Sequence, residues 1–220
     1  IDRLMIFMPP RHGKSELASK RFPAWCLGRD PKRQIIAASY NSDLANDFGR
    51  NVRNLVAEPE FGQVFPNVSL APDSQAANRM NTNHKGAYVA AGVGTAVTGR
   101  GAHIALIDDP FKDREEADSE RRRDLVWDWY RSTLYTRLMP GGAIVLIQTR
   151  WHEDDLAGRI LEQEAGQWEV LELPAINKVG EPLWPEWYNL EALNRIKATI
   201  GPREWSALYQ QQPQPDEGTF

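Results

Sequence analysis

The sequence predicts an α/β fold in which a mostly parallel central sheet carries helices on both faces. Three observations lead there. Short apolar stretches alternate with helix-forming stretches up to about residue 175, the pattern of successive strand–helix–strand units. Two of those stretches, Gln34–Ser39 and Ala143–Ile147, are continuously apolar rather than alternating at their centres, as strands buried on both sides are. The apolar run Leu4-Met5-Ile6-Phe7-Met8 meets a tight turn, Pro9-Pro10-Arg11-His12-Gly13-Lys14-Ser15, followed by helix-forming Glu16-Leu17-Ala18-Ser19-Lys20-Arg21.

In chain order, strands are expected at Arg3–Met8, Gln34–Ser39, Ala87–Val93, His103–Asp108, Ala143–Thr149 and Trp168–Leu173. Helices are expected at Lys14–Leu27, Ser42–Ala57, Ser119–Thr136 and Glu153–Ala165. Cys26, between Trp25 and Leu27, reads as a packed helix residue. Trp127 and Tyr130 are three apart, share a helix face and read as core. His152 followed by Glu153-Asp154-Asp155 lacks the second His of a zinc motif, and its acids suit a helix N-terminus. After about Ala175 prolines recur at 174, 182, 185, 202, 213 and 215. Short helices are expected there at Leu190–Ile200 and Pro202–Gln210, then a polar, Pro-rich linker. The expected organisation is a core over 1–175 and a small lid or linker subdomain over 176–220.

Composition sets the class. Hydrophobic residues make up 41% and charged residues 25%, ordinary values for a globular protein. The longest apolar runs are far shorter than a membrane span. One cysteine excludes an internal disulfide and fits a cytosolic setting. A net charge of −4 argues neither for nor against nucleic acid, because basic residues can cluster. The densest such cluster is Arg121-Arg122-Arg123, with Lys112 and Arg114 nearby. The chain opens on Ile1, and we expect it to be part of a longer one.

Strand, tight turn ending in Gly-Lys-Ser, and helix form the context a phosphate-binding loop needs. Backbone N–H groups there point at an anion, and the helix N-terminus favours it. Pro10, Arg11, His12, Gly13, Lys14, Ser15 and Glu16 are the candidate nucleotide contacts. Lys14 suits the β/γ-phosphates, and Ser15 suits Mg²⁺. Met8 stands where the usual pattern has its first Gly. The plain alternative is a strand–helix turn that happens to contain these residues.

A second apolar strand ends in Asp108-Asp109-Pro110, the Walker B pattern. Asp108 suits the metal, and Asp109 suits activation of the attacking water. Glu is more usual at the second position, so Glu115 or Glu116 is an alternative base. A third strand ends in Gln148-Thr149-Arg150-Trp151-His152. Ligands sit at the carboxyl ends of parallel strands, so Gln148 or Thr149 would face the γ-phosphate. The Gly-rich segment Gly92–Gly101 lacks the spacing of a dinucleotide fingerprint. Arg100, within it, opens the strand that ends at Asp108. A strand of five or six residues spans roughly 17–20 Å, so Arg100 is out of reach of its own nucleotide. It is a candidate finger supplied in trans to a neighbour in a ring, the alternatives being a structural arginine or a contact to DNA phosphate.

Together these residues resemble the ATPase domain of phage large terminase subunits. Pro9 to Ser15 is similar to that family's phosphate loop, which often lacks the leading Gly. Leu106-Ile107-Asp108-Asp109-Pro110 is similar to its Walker B. Gln148 to His152 resembles the segment that couples hydrolysis to movement. Tyr209-Gln210-Gln211-Gln212-Pro213, with Gly218-Thr219-Phe220, resembles the junction into the nuclease domain. The resemblance implies a P-loop NTPase of the additional-strand type, in which the strand ending at Thr149 lies between those ending at Met8 and Asp108. It implies ATP and Mg²⁺ as cofactors and ATP-driven translocation of double-stranded DNA into a procapsid. Its implied partners are DNA, the portal, a small terminase subunit and copies of itself in a ring, in the cytoplasm of an infected or prophage-carrying bacterial host. Without the nuclease carboxylates, no DNA cleavage is expected of this segment. A helicase-like translocase acting outside packaging and a nucleotide-dependent assembly module with little turnover are the alternative functions.

Overall fold

The computed structural model describes residues 2–97, 99–164 and 166–214; the expected junction residues Gly218-Thr219-Phe220 lie outside the described residues. The elements are β1 (Arg3–Phe7), α1 (Phe22–Arg29), β2 (Gln34–Ser39), α2 (Ser42–Ala57), α3 (Pro59–Val64), β3 (Leu70–Ala76), β4 (Arg79–Thr82) and β5 (Ala87–Gly92). They continue with β6 (Ala102–Asp108), α4 (Arg114–Asp118), α5 (Glu120–Trp129), β7 (Leu138–Gln148), α6 (Leu156–Gln163), β8 (Glu169–Glu172) and α7 (Leu190–Glu204). Among the described residues the strands form one sheet in the order β3-β4-β5-β2-β6-β7-β1-β8. All neighbours from β5 to β8 run parallel, whereas β4 pairs antiparallel with both β3 and β5. β7 lies between β1 and β6, the additional-strand order.

Alternation along each strand builds two cores. Met5, Phe7, Ile36, Ala38, Ala105, Ile107, Ile144 and Leu146 face one side, packed with Val126, Trp127 and Tyr130. Their neighbours Ile35, Ala37, Ile104, Leu106, Val145 and Ile147 face the other, packed with Leu27, Val52 and Val56. A period of two on strands buried on both faces requires apolar residues at every position, which is why β2 and the second half of β7 are unbroken apolar runs. Cys26 is buried, and burial pushes its thiol up to about 11. Trp127 and Tyr130 stack at 5.6 Å inside the first core.

The helices depart from the expected outlines in instructive ways. The expected helix from Lys14 is a π-helical stretch over Glu16–Arg21 that runs into α1. Pro23 has no N–H to give, and the ladder changes register ahead of it. The helix expected over Ser119–Thr136 is α5, capped by Ser119, followed by π-helical turns over Tyr130–Leu134 and a 3₁₀ turn. Toward the C-terminus the outline agrees: α7 consists of two helical segments divided at Gly201 (φ 79°, ψ 172°), between the two short helices expected. Its residues Leu193, Ile196 and Ile200 join Ala175, Tyr188, Trp205 and Tyr209 in a small apolar cluster separate from both sheet cores.

The hairpin β3–β4 and the short α3 have no counterpart in the sequence reading. β3 is largely exposed and contains Pro72, as an edge strand can. Helix α2 clamps the hairpin. A Cβ placed on Gly49 would stand 2.0 Å from the Ala77 carbonyl oxygen and 3.2 Å from the Tyr88 ring. Gly49→Ala is therefore expected to cost about 1–3 kcal/mol by overpacking, read as a lowered unfolding midpoint. An unchanged midpoint would mean that α2 is not held against this turn.

Candidate functional site

The carboxyl ends of β1, β6 and β7 converge. Lys14, first after the turn glycine, is buried and places Nζ 2.8 Å from Asp109 Oδ2 and 2.9 Å from Thr149 Oγ1. The backbone N–H of Thr149 donates to Asp109 Oδ1 at 2.9 Å, and its hydroxyl to the Met8 carbonyl at 3.2 Å. One lysine, one carboxylate and one hydroxyl thus tie together three strand ends far apart in sequence. Asp109 has φ 46°, the left-handed region that Asp and Asn tolerate better than other non-Gly residues. That backbone explains a short Asp where a longer Glu is more usual.

Asp108 is buried beneath this cluster. Its Oδ2 accepts from Ser19 Oγ at 2.5 Å, while its Oδ1, also buried, has no partner among the described residues. Desolvation, then the neighbouring Asp109 charge, pushes its pKa up to about 6, against the opposing pull of Lys14 and of the Ser19 and Ser15 hydroxyls. A buried carboxylate oxygen with a free lone pair beside two serine hydroxyls is a donor set suited to a hard cation.

The phosphate loop itself is held in special conformations. Gly13 has φ 87° and Arg11 φ 61°; the first is free for glycine, the second strained for any other residue. Arg11 is exposed at the loop tip. His12 is buried, its Nδ1 2.9 Å from the Pro10 carbonyl, and its ring stacks on Tyr188 at 4.8 Å. Burial lowers its pKa. Glu16 turns along its own helix to Lys20 and Arg21, at 2.8 and 2.9 Å, so its carboxylate is engaged there. Gln148 is buried with both amide atoms unpartnered among the described residues, a donor and an acceptor ready for a ligand or water.

Arg100 is not with these residues. It lines a cleft of about 170 Å³ with Gln34, Ala87, Arg79 and Lys85. Gln34 and Ala87 open β2 and β5, so Arg100 stands at the end of the sheet opposite Lys14. Glu116, the alternative base, is bound to Arg122 at 2.9 Å. The expected basic cluster is also partly spent inside the protein, since Arg123 is buried against Asp154 at 2.8 Å and against the Ala117 carbonyl. Among the described residues no group of His, Cys, Asp and Glu is arranged as a metal cluster, and His152 instead accepts from Asp154 N–H through Nδ1.

Beyond Thr149 the chain is fastened twice. Arg150 donates Nε to Asp155 Oδ2 at 2.9 Å, and Asp155, fully buried, caps α6 by accepting from Gly158 N–H at 3.0 Å. The Arg150 N–H donates to Gln211 Oε1 at 3.2 Å. Removing one partner of a buried pair strands the other charge. Asp155→Ala is therefore expected to cost about 3–5 kcal/mol, read in denaturant unfolding. A loss of only the ~1 kcal/mol typical of a cap would show that Arg150 finds another partner.

Ser19, Tyr188 and Gln211 were not foreseen. Ser19 had a legible signal, since it stands four residues after Ser15 on one helix face. The other two reach the site from distant sequence and had none.

The sequence profile described as terminase large subunit, T4likevirus-type, N-terminal, matches residues 5–206. The chain belongs to the terminase large subunit family. No curated protein sequence matches it. Among solved structures, a mutant ATPase domain of the Thermus phage P74-26 large terminase superposes with a TM-score of 0.67 at 14% identity, over 97% of this chain and 89% of that one. The HK97 bacteriophage large terminase gives 0.60 at 13% identity, over 96% and 47%. The large terminase of a thermophilic bacteriophage in complex with ATP-γ-S gives 0.53 at 10% identity, over 93% and 46%. This terminase chain therefore spans about half the length of the HK97 and thermophilic-phage proteins it resembles. Its fold is that of the large terminase ATPase domain.

Proposed function

We propose that this chain hydrolyses ATP to drive double-stranded viral DNA into a procapsid, as the motor part of a large terminase. The observation that carries this reading is the junction of Lys14, Asp109 and Thr149 at three strand ends, within a chain of this family. In this reading residues 1–175 are the ATPase core and 176–220 a lid leading onward. The phosphate loop, Pro10 to Ser15, with Glu16 opening the helix, cradles the phosphates, and Gln148 offers its unpartnered amide to them. Mg²⁺ fits beside Asp108 and Ser15, where it would neutralise charge building on the phosphate oxygens.

The residues present do the rest. An arriving γ-phosphate competes with Asp109 for Lys14. Lys14 moves its ammonium to the phosphate, and the released Asp109 carboxylate accepts a proton from the attacking water. Thr149, bonded to both groups, feels that exchange, and through Arg150 so does Gln211. Arg100, at the far end of the sheet, acts on the nucleotide of a neighbouring copy in a ring. The portal and a small subunit are the further partners proposed.

The test is protection of DNA from nuclease by the full-length protein with procapsids. ATP-dependent protection that needs procapsids supports the reading. DNA movement without procapsids would favour the helicase-like translocase, and tight ATP binding without hydrolysis the assembly module. The short Asp109 favours the latter as the second reading.

A further inference from the structure

Two segments leave the strand ends and are joined twice. One runs from Asp109 to Arg114, where α4 opens, and the other from Thr149 to Trp151. At the near rung Asp109 Oδ1 accepts the Thr149 N–H at 2.9 Å. At the far rung Arg114 donates Nη1 to the Trp151 carbonyl, and its guanidinium lies over the Trp151 ring at 5.4 Å. The stretch from Asp109 to Arg114 has little freedom. Pro110 and Phe111 are buried, and Asp113 caps α4 by accepting the Glu116 N–H at 3.0 Å. A shift at the far rung is therefore carried to the near one, where the Asp109 carboxylate meets Thr149 and Lys14.

The other edge of the Arg114 fork belongs to a distant part of the chain. Nε and Nη2 donate to the two carboxylate oxygens of Glu204 at 2.8 and 2.7 Å, a paired geometry that fixes orientation as well as charge. Glu204 follows the Gly201 break in α7 by three residues. It precedes Trp205, which is buried in the small C-terminal cluster. The C-terminal segment therefore sets where Arg114 points. A planar guanidinium can grip a carboxylate along one edge and still donate from its remaining nitrogen. A compact ammonium keeps the charge but not that fixed fork.

We propose that Arg114 is a positioning residue for ATP hydrolysis: held by Glu204, it fixes the loop that carries Asp109 against the segment that carries Thr149. The proposal rests on the reading of Asp109 as the base. It gives the C-terminal segment a hold on the rate of hydrolysis and not on nucleotide binding.

The test measures ATP hydrolysis by the full-length protein across ATP concentrations, with unfolding midpoints alongside. Arg114→Lys keeps the charge and loses the fork. It is expected to lower kcat about tenfold and leave KM within about twofold, because a misplaced base costs rate without removing a phosphate contact. Glu204→Gln is expected to act in the same direction by about threefold, since its amide oxygen still accepts one of the two bonds. Added to Asp109→Asn, Arg114→Lys is expected to cost less than about twofold more, because a residue acting through the base has nothing left to position. Lowered midpoints with unchanged kcat in both single variants would make Arg114 a brace and overturn the proposal. So would a loss carried by KM, or a full further loss on top of Asp109→Asn. Should Arg114→Lys fail to fold, Glu204→Gln decides by the same comparison. Any of these in a wild-type background that hydrolyses ATP removes the Arg114 role alone. A wild-type protein without hydrolysis removes the Asp109 reading with it.

Discussion

Lys14→Ala is expected to lower ATP hydrolysis by about a thousandfold in the full-length protein, measured at saturating ATP. Lys14 is buried and makes the two side-chain contacts that join β1's loop to β6 and β7. A preorganised cation in a water-poor site stabilises developing charge far better than one in bulk solvent, and losing one such donor typically costs about 10²–10³ in rate. The substitution also leaves the Asp109 carboxylate, which is only 25% exposed, without its counter-charge, so nucleotide binding should weaken too. Lys14→Arg keeps charge, but its planar fork is a poor substitute for a compact ammonium between two oxygens, and most activity should still be lost. Mixing Lys14→Ala copies with Arg100→Ala copies separates the roles. Partial recovery of hydrolysis is expected if Arg100 serves a neighbour, because the mixed ring contains interfaces with both an intact loop and an intact finger. Hydrolysis by Lys14→Ala at the wild-type rate would remove the ATPase reading altogether.

The parts of this site that could be read from sequence are those where local pattern and chemistry coincide. Asp108 and Asp109 end an apolar run, and the burial of β6 places them where such a strand must stop. Gly13-Lys14-Ser15 is legible because a tight strand-to-helix turn with a positive φ favours glycine, and Gly13 has one. The position of β7 between β1 and β6 came from family resemblance; no periodicity dictates strand order. What stayed hidden is what tertiary contact alone creates. β3 and β4 are short, polar and stabilised by their place against β5 and α2, so no apolar alternation announces them. Gln211 reads as part of a polar tail, yet it is buried, with φ 60°, and its amide bonds the Arg150 N–H and the Leu208 carbonyl. Arg114 looked like one more surface cation beside Arg121–Arg123. In the structure it grips Glu204 with two bonds of 2.8 and 2.7 Å, joining α4 to α7. Such pairs bring together residues 90 positions apart, and composition carries no trace of them.

Asp109→Asn is expected to reduce hydrolysis by about 10²–10⁴ while ATP binding is retained or strengthened. The reasoning separates charge from geometry. Asn keeps an oxygen for the Thr149 N–H and tolerates the left-handed backbone at φ 46°, so the strand ends should stay in register. It removes the negative charge that holds Lys14 and would repel an incoming γ-phosphate, which favours binding. It also removes the basic lone pair, which defeats proton abstraction. Asp109→Glu is the complementary probe. It restores the base and lengthens its reach, but sets a residue less tolerant of positive φ into a strained position, so partial activity with lowered stability is expected. Single-turnover hydrolysis together with ATP affinity decides the matter. An Asn variant that turns over normally would pass the base role to another group, with Glu115, which has no ion pair among the described residues, the first candidate. Equal losses in binding and hydrolysis would make Asp109 a brace for Lys14 rather than a base. A wild-type protein as slow as its Asn variant would mean that the ion pair never opens, and the chain would then act as a nucleotide-dependent assembly module instead of a motor.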